Sequence, residues 1–184
     1  MDSDRRTGIV VGALFIVATV GSILASVALG SALDGPDYLI NIATQESRVI
    51  LAVLLFLIAA SSAFATAFLL FPILRRHAEG LAAGYVGIRA FENVFYVAGV
   101  VGLLIMLTVS QGEVGMAGSP DPLVGTALLA LHHWSVLIGT LIFFALGCLT
   151  LNYVLYRSRI VPRWLSLWGI VGAVLVFSYG LLGI

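Results

Sequence analysis

Lysine is missing altogether, so all nine basic residues are arginine, and the nine acidic residues bring the formal charge to zero. Only 10% of the 184 residues are charged, against about 25% in a soluble domain. That is too little polar surface for a soluble globule, and it leaves no basic face for nucleic acid and no acidic face for a basic partner. A single cysteine, Cys148, excludes a disulfide within the chain, and its apolar surroundings suit a small core residue better than redox chemistry. No serine nucleophile elbow, metalloprotease helix, phosphate loop or dinucleotide fingerprint occurs. No cofactor is identifiable from the sequence.

What is present is apolar length. Hydrophobic residues make up 61% of the chain, which predicts an all-α, polytopic transmembrane helix bundle forming one domain over residues 1–184. Gly8 to Leu33 and Val49 to Leu74 each run 26 residues without charge, enough at about 1.5 Å per residue to cross a hydrocarbon core of about 30 Å with tilt. The expected spans are residues 8–33, 48–74, 81–109, 131–156 and 164–184. The fourth lies in 35 residues, Pro122 to Tyr156, that carry no Asp, Glu, Lys or Arg. A hairpin near Gly139 would divide this run, but it has no proline or polar turn cluster there. One tilted span preceded by an interfacial lead-in from Pro122 to Ala130 is therefore expected.

The arginines orient the bundle. Arg5 and Arg6 precede the first span, Arg75 and Arg76 follow the second, and Arg157, Arg159 and Arg163 follow the fourth. These segments alternate, so they share one side, cytoplasmic by the positive-inside rule. The opposite loops carry Asp34, Asp37, Glu46, Glu113 and Asp121. The N-terminus is then cytoplasmic and the C-terminus outside, in a bacterial plasma (inner) membrane. Tyr153, Tyr156, Trp164 and Trp168 flank the last cytoplasmic loop as an interfacial aromatic belt. The first apolar run is too long for a signal-peptide core and stays as a helix.

The third span contains the anomaly. "GYVGIRAFENVFYVAG" places Arg89 and Glu92 inside an apolar helix. Two ionised residues near the bilayer centre cost roughly 5 to 7 kcal/mol on an insertion scale, and the ten Val, Leu, Ile and Phe residues from Val94 to Val109 offset roughly 3 to 6. The helix alone is near break-even, so the pair must be satisfied. Spacing of i to i+3 puts both side chains on one face, and the helical rows extend that face through Tyr85, Arg89, Glu92, Tyr96 and Gly99, with Asn93 beside it. Such a stripe faces the bundle interior or a wet cavity. Two readings stand. In one, the pair locks helices together, with Ser61, Ser62 or Thr66 completing its hydrogen bonds. In the other, the stripe lines a site for an ion, a proton or a polar headgroup.

His132 and His133 are the second cluster. Adjacent residues on a helix diverge by about 100°, so they cannot jointly chelate a metal as an i, i+4 pair does, and no metal site is expected. They fall near the outer boundary beside Trp134, where one of them can cap an outward-facing cavity above Glu92. Ala18, Ser22 and Ser26, like Ser62 and Thr66, repeat small residues at helical spacing and read as close helix packing.

"FPILRRHAEGLAAGYVGIRAFENVF" and "IGTLIFFALGCLTLNYVLYRSRIVPRWLSLWG" resemble a family of bacterial membrane proteins catalogued as domain of unknown function 4386. The matching positions are Arg75, Arg89 and Glu92, then Phe143, Phe144, Tyr156, Arg157, Ser158, Pro162 and Arg163. "PDYLINIATQESR" is similar to the family's first outer loop. The resemblance implies a fold, with about one more helix after the fifth, and no agreed activity.

Three functions are compatible with these residues. The first is a small membrane protein that binds a hydrophobic or amphipathic ligand, or passes an ion or proton, through a pocket around Arg89, Glu92 and Tyr96. The second is an accessory or assembly subunit whose ion pair is purely structural. The third is an intramembrane enzyme acting on a lipid-like substrate with Glu92 and a histidine. Expected partners are membrane lipid and, for so thin a bundle, a second copy or other membrane subunits.

Overall fold

A computed structural model of the chain describes residues 3–114 and 122–184. Helices dominate, with no strand among the described residues: α1 (Ser3–Leu29), α2 (Tyr38–Thr44), α3 (Glu46–Leu74), α4 (Glu79–Val114), α5 (Pro122–Val136), a π-helical stretch (Leu137–Phe143), α6 (Phe144–Ser158) and α7 (Arg163–Leu182). Among the described residues, five stretches are long and apolar enough to cross a membrane: Arg5–Leu29, Glu46–Leu74, Glu79–Gly112, Leu123–Ser158 and Arg163–Leu182. The chain is thus a multi-pass helical membrane protein.

Two segments differ from the sequence reading. The first outer loop folds in part into α2, because Tyr38, Leu39 and Ile42 share one face, Ile42 is buried and the other two pack on the same core. The lead-in from Pro122 to Ala130 is itself helical and continuous with α5, the π stretch and α6. At Gly139 the chain passes through without a hairpin, and its missing side chain lets the fourth span lie against α4: a Cβ there would sit 2.7 Å from Phe95 Cβ. Gly180 does the same for α7, where a Cβ would meet Leu141 Cβ at 2.8 Å. Of the second outer loop, Asp121 and the side chain of Glu113 lie outside the described residues. The last basic turn begins at Arg159, whose left-handed backbone (φ 57°) ends α6 while its N–H bonds Leu155 O at 3.1 Å.

Neighbours in sequence are neighbours in space. α1 packs along α3, α3 along α4, α4 along the whole fourth span, and α7 along the π stretch and α6; α1 makes no extended contact beyond α3. Two apolar clusters plug the ends. One gathers Leu29, Ile42, Val49, Val53, Val100, Leu103 and Met106. The other, toward the arginine-bearing turns, gathers Ala67, Leu74, Ala82, Tyr85, Leu151 and Val154. Between them the facing residues are small: Ala18, Ser22 and Ser26 on α1, and Ala59, Ala60 and Ala63 on α3. At this height α1 lies close on α3, where a Cβ on Gly21 would fall 3.4 Å from Ala59 Cβ, and its short side chains leave open space toward α4 and the fourth span, on which α1 does not pack closely. A crevice at mid-height results.

Candidate functional site

α4 carries the charged part of that crevice. Glu79 opens the helix, and Arg89, ten residues on, is about 15 Å deep along it. Arg89 is 1% exposed and Glu92 4%. One guanidinium nitrogen, Nη1, donates to both carboxylate oxygens, to Oε1 at 2.9 Å and Oε2 at 2.8 Å. Nε donates to the Tyr85 hydroxyl at 3.4 Å. The guanidinium carbon lies 5.4 Å from the ring centre of Phe144, 5.6 Å from Tyr85 and 6.0 Å from Phe15, so aromatic faces from three membrane-spanning segments enclose the cation. Nη2 is buried with no hydrogen-bond partner among the described residues, as is Asn93 Oδ1. Both side chains border the narrow space against Ala60, Ala63 and Phe64 of α3.

A cavity of about 290 Å³ adjoins the pair, lined by Arg89, Glu92 and Tyr96 from α4, Phe15, Thr19 and Ser22 from α1, and Thr140 and Phe144 from the fourth span. A second, of about 430 Å³, continues away from the arginine-bearing turns past Ser26, Gly99, His132 and Ser135. Ser22, Tyr96 and Thr140 line both. Tyr96 and Ser22 are 3.4 Å apart, oxygen to oxygen. Because Ser22 already donates to Ala18 O at 2.9 Å, the hydrogen between them is Tyr96's. Among the described residues, no group of three or more His, Cys, Asp or Glu is placed to hold a metal ion.

The two histidines part company. His132 is buried, its Nδ1 donating to Gly99 O at 3.0 Å, whereas His133 is exposed. His132 lines the outer cavity and Glu92 the inner one, with no hydrogen bond between them. The structure therefore brings together Tyr85, Arg89, Glu92, Asn93 and Tyr96, sets His132 at the far end of the same crevice, and leaves His133 outside it. The hydroxyls expected to complete the ion pair do not reach it. Thr66 donates to Ala63 O on its own helix at 2.7 Å, Ser61 is exposed, and neither they nor Ser62 bond to Arg89 or Glu92.

Thr140 and Phe144 were not legible as lining residues. At about 100° per residue Phe144 stands about 120° around the helix from His132. The π stretch turns only about 82° per residue, and over Leu137–Phe143 this brings His132, Thr140 and Phe144 to within about 10° of one face. Thr140 turns its hydroxyl back onto Val136 O, a bond that competes with the helical ladder. Phe143, next to Phe144, stacks on Phe91 and Phe95 at 5.6 and 5.4 Å, fixing the phase of the widened turns against α4.

A family model described as Domain of unknown function (DUF4386) matches residues 10–183. The chain belongs to this family. No curated protein and no solved structure matches it. In this DUF4386 protein the motif positions Arg89, Glu92 and Phe144 converge on one side of the inner cavity, while Tyr156 and Arg163 meet at the basic turn, the guanidinium 5.2 Å from the ring centre.

Proposed function

We propose that this protein binds an amphipathic molecule within the bilayer, its polar end in the crevice and its apolar chain leaving between α1 and the fourth span. One observation carries the reading: Arg89 Nη2 is a buried donor without a partner beside a cavity. Buried polar groups are almost always satisfied, and a pair kept only to lock helices has no use for an idle donor. An acceptor oxygen of the bound molecule supplies the partner. A helix that packs along α3 alone leaves a seam on its other side through which a lipid-like molecule enters from the membrane.

The bundle sits with its arginine-bearing turns in the cytoplasm of a bacterial cell, N-terminus inside and C-terminus outside. Seven of the nine arginines, Arg5, Arg6, Arg75, Arg76, Arg157, Arg159 and Arg163, fall on alternate, same-side segments, and this bias supports the setting.

The test is retention of native lipid. Wild type and Thr140→Phe, which puts a ring where the two cavities join, are extracted with membrane in nanodiscs, and their tightly held small molecules are compared by mass spectrometry. Wild type is expected to retain an amphipath that the variant lacks, with equal helical content by circular dichroism. Equal retention, or none in either, returns the Arg89–Glu92 pair to a purely structural role.

A further inference from the structure

The outer cavity has an apolar lining set with six polar side chains, and all but one of these have their hydrogens already engaged. Ser22 donates to Ala18 O at 2.9 Å and Ser26 to Ser22 O at 3.0 Å. Thr140 donates to Val136 O, Tyr96 to Ser22 Oγ and His132 Nδ1 to Gly99 O. Each of these acceptors is a carbonyl or an oxygen that has given up its own hydrogen, so the directions follow from chemistry. What the lining can still offer is lone pairs: the oxygens of Ser22, Ser26, Thr140 and Tyr96 and, in the neutral ring, Nε2 of His132. Ser135 alone has a hydroxyl hydrogen without a partner among the described residues. The C-terminal end of α1, at Leu29 and Gly30, adds the negative end of a helix dipole to the same wall.

Such a wall asks for donors, and formal charge decides between two kinds. A cation would be desolvated there with no counter-charge, since both oxygens of Glu92 are held by Arg89 Nη1 and no other acidic side chain among the described residues lines either cavity. An anion would find one free donor there, the hydroxyl of Ser135, and otherwise lone pairs. Resting on the binding role proposed above, we infer that the molecule's head is uncharged and rich in hydroxyl groups, donating into the outer cavity, while a carbonyl or ether oxygen nearer its chain accepts from Arg89 Nη2. The chemical class is a neutral hydroxylated lipid, of which a monoacylglycerol is the simplest member.

Four probes, each with a single chain of ~16 carbons, separate the possibilities: 1-monopalmitoylglycerol, methyl palmitate, palmitate and hexadecyltrimethylammonium. Each is titrated against the full chain in phosphatidylcholine nanodiscs and read by native mass spectrometry. Monopalmitoylglycerol is expected to bind at least about tenfold more tightly than methyl palmitate, which keeps the carbonyl but has no donor. Ser26→Ala and His132→Leu each lower that preference, and Ser26 is exposed, so its variant keeps the test open if His132→Leu does not fold. A head preference for palmitate or the ammonium, or equal binding of methyl palmitate, overturns the inference and leaves the crevice as a binding site. No binding of any probe beyond that of Thr140→Phe overturns both.

Discussion

The inner and outer halves of the crevice share Ser22, Tyr96 and Thr140 but hold their polar groups in opposite ways. The inner half contains two full charges, aromatic rings on three sides of the guanidinium and a donor left over. The outer half has no charged side chain among the described residues, and its polar atoms, Ser135 apart, are acceptors whose hydrogens are already given to their own helix or, for Tyr96 and His132, to a neighbouring one. Removing one member of the inner pair strands a charge in a low-dielectric interior; removing one member of the outer set strands nothing. The inner half therefore bears on whether the bundle assembles, and under the proposed binding role the outer half sets what it prefers to hold.

Substitutions test that division in descending order of effect. Arg89→Ala leaves Glu92 alone and is expected to cost about 3 to 5 kcal/mol, seen as a collapse in recovery from membranes and in melting temperature. The double change Arg89→Met with Glu92→Leu removes both charges and is expected to restore most of that loss. If Arg89→Ala melts like wild type, the inner half is not what holds the helices. Gly139→Ala places a Cβ 2.7 Å from Phe95 Cβ and is expected to cost about 1 to 3 kcal/mol through separation of α4 from the fourth span. Calorimetry in nanodiscs measures it, and an unchanged melting temperature would show that the contact yields freely. In the outer half, His132→Leu loses the bond to Gly99 O and is expected to cost about 1 kcal/mol, because that carbonyl keeps its place in a helix. Tyr96→Phe, at the junction, removes the bond to Ser22 and is expected to cost only about 0.6 kcal/mol. A drop as large as that of Arg89→Ala in either would erase the distinction between the halves.

Much of this arrangement was written in local pattern. The charge-free runs foretold five apolar helices, and the i, i+3 spacing foretold that Arg89 and Glu92 would meet, because both follow from one helix and its period. The adjacency of His132 and His133 likewise required one to point away. What local pattern could not carry was the identity of the neighbours. Ser61, Ser62 and Thr66 were plausible partners by depth, yet the ion pair finds Phe15 and Phe144 instead, since depth fixes height in the membrane and not azimuth. Azimuth on the fourth span depends on the π stretch Leu137–Phe143, and nothing in "LIGTLIF" announces a change of pitch. The helix α2 was missed for a simpler reason. Seven residues give barely two turns of periodicity, and its helical state comes from packing Ile42 onto α3 and α4.

The aromatic enclosure of Arg89 has a consequence for the order of synthesis. When the third span leaves the ribosome, the first two already exist, and with them Phe15; Tyr85 and Glu92 arrive on the third span itself. Most of the guanidinium's surroundings are therefore present before Phe144 is translated. A helix near break-even for insertion enters the bilayer as the third member of a nascent hairpin trio, and the later spans close over a charge that has already been accepted.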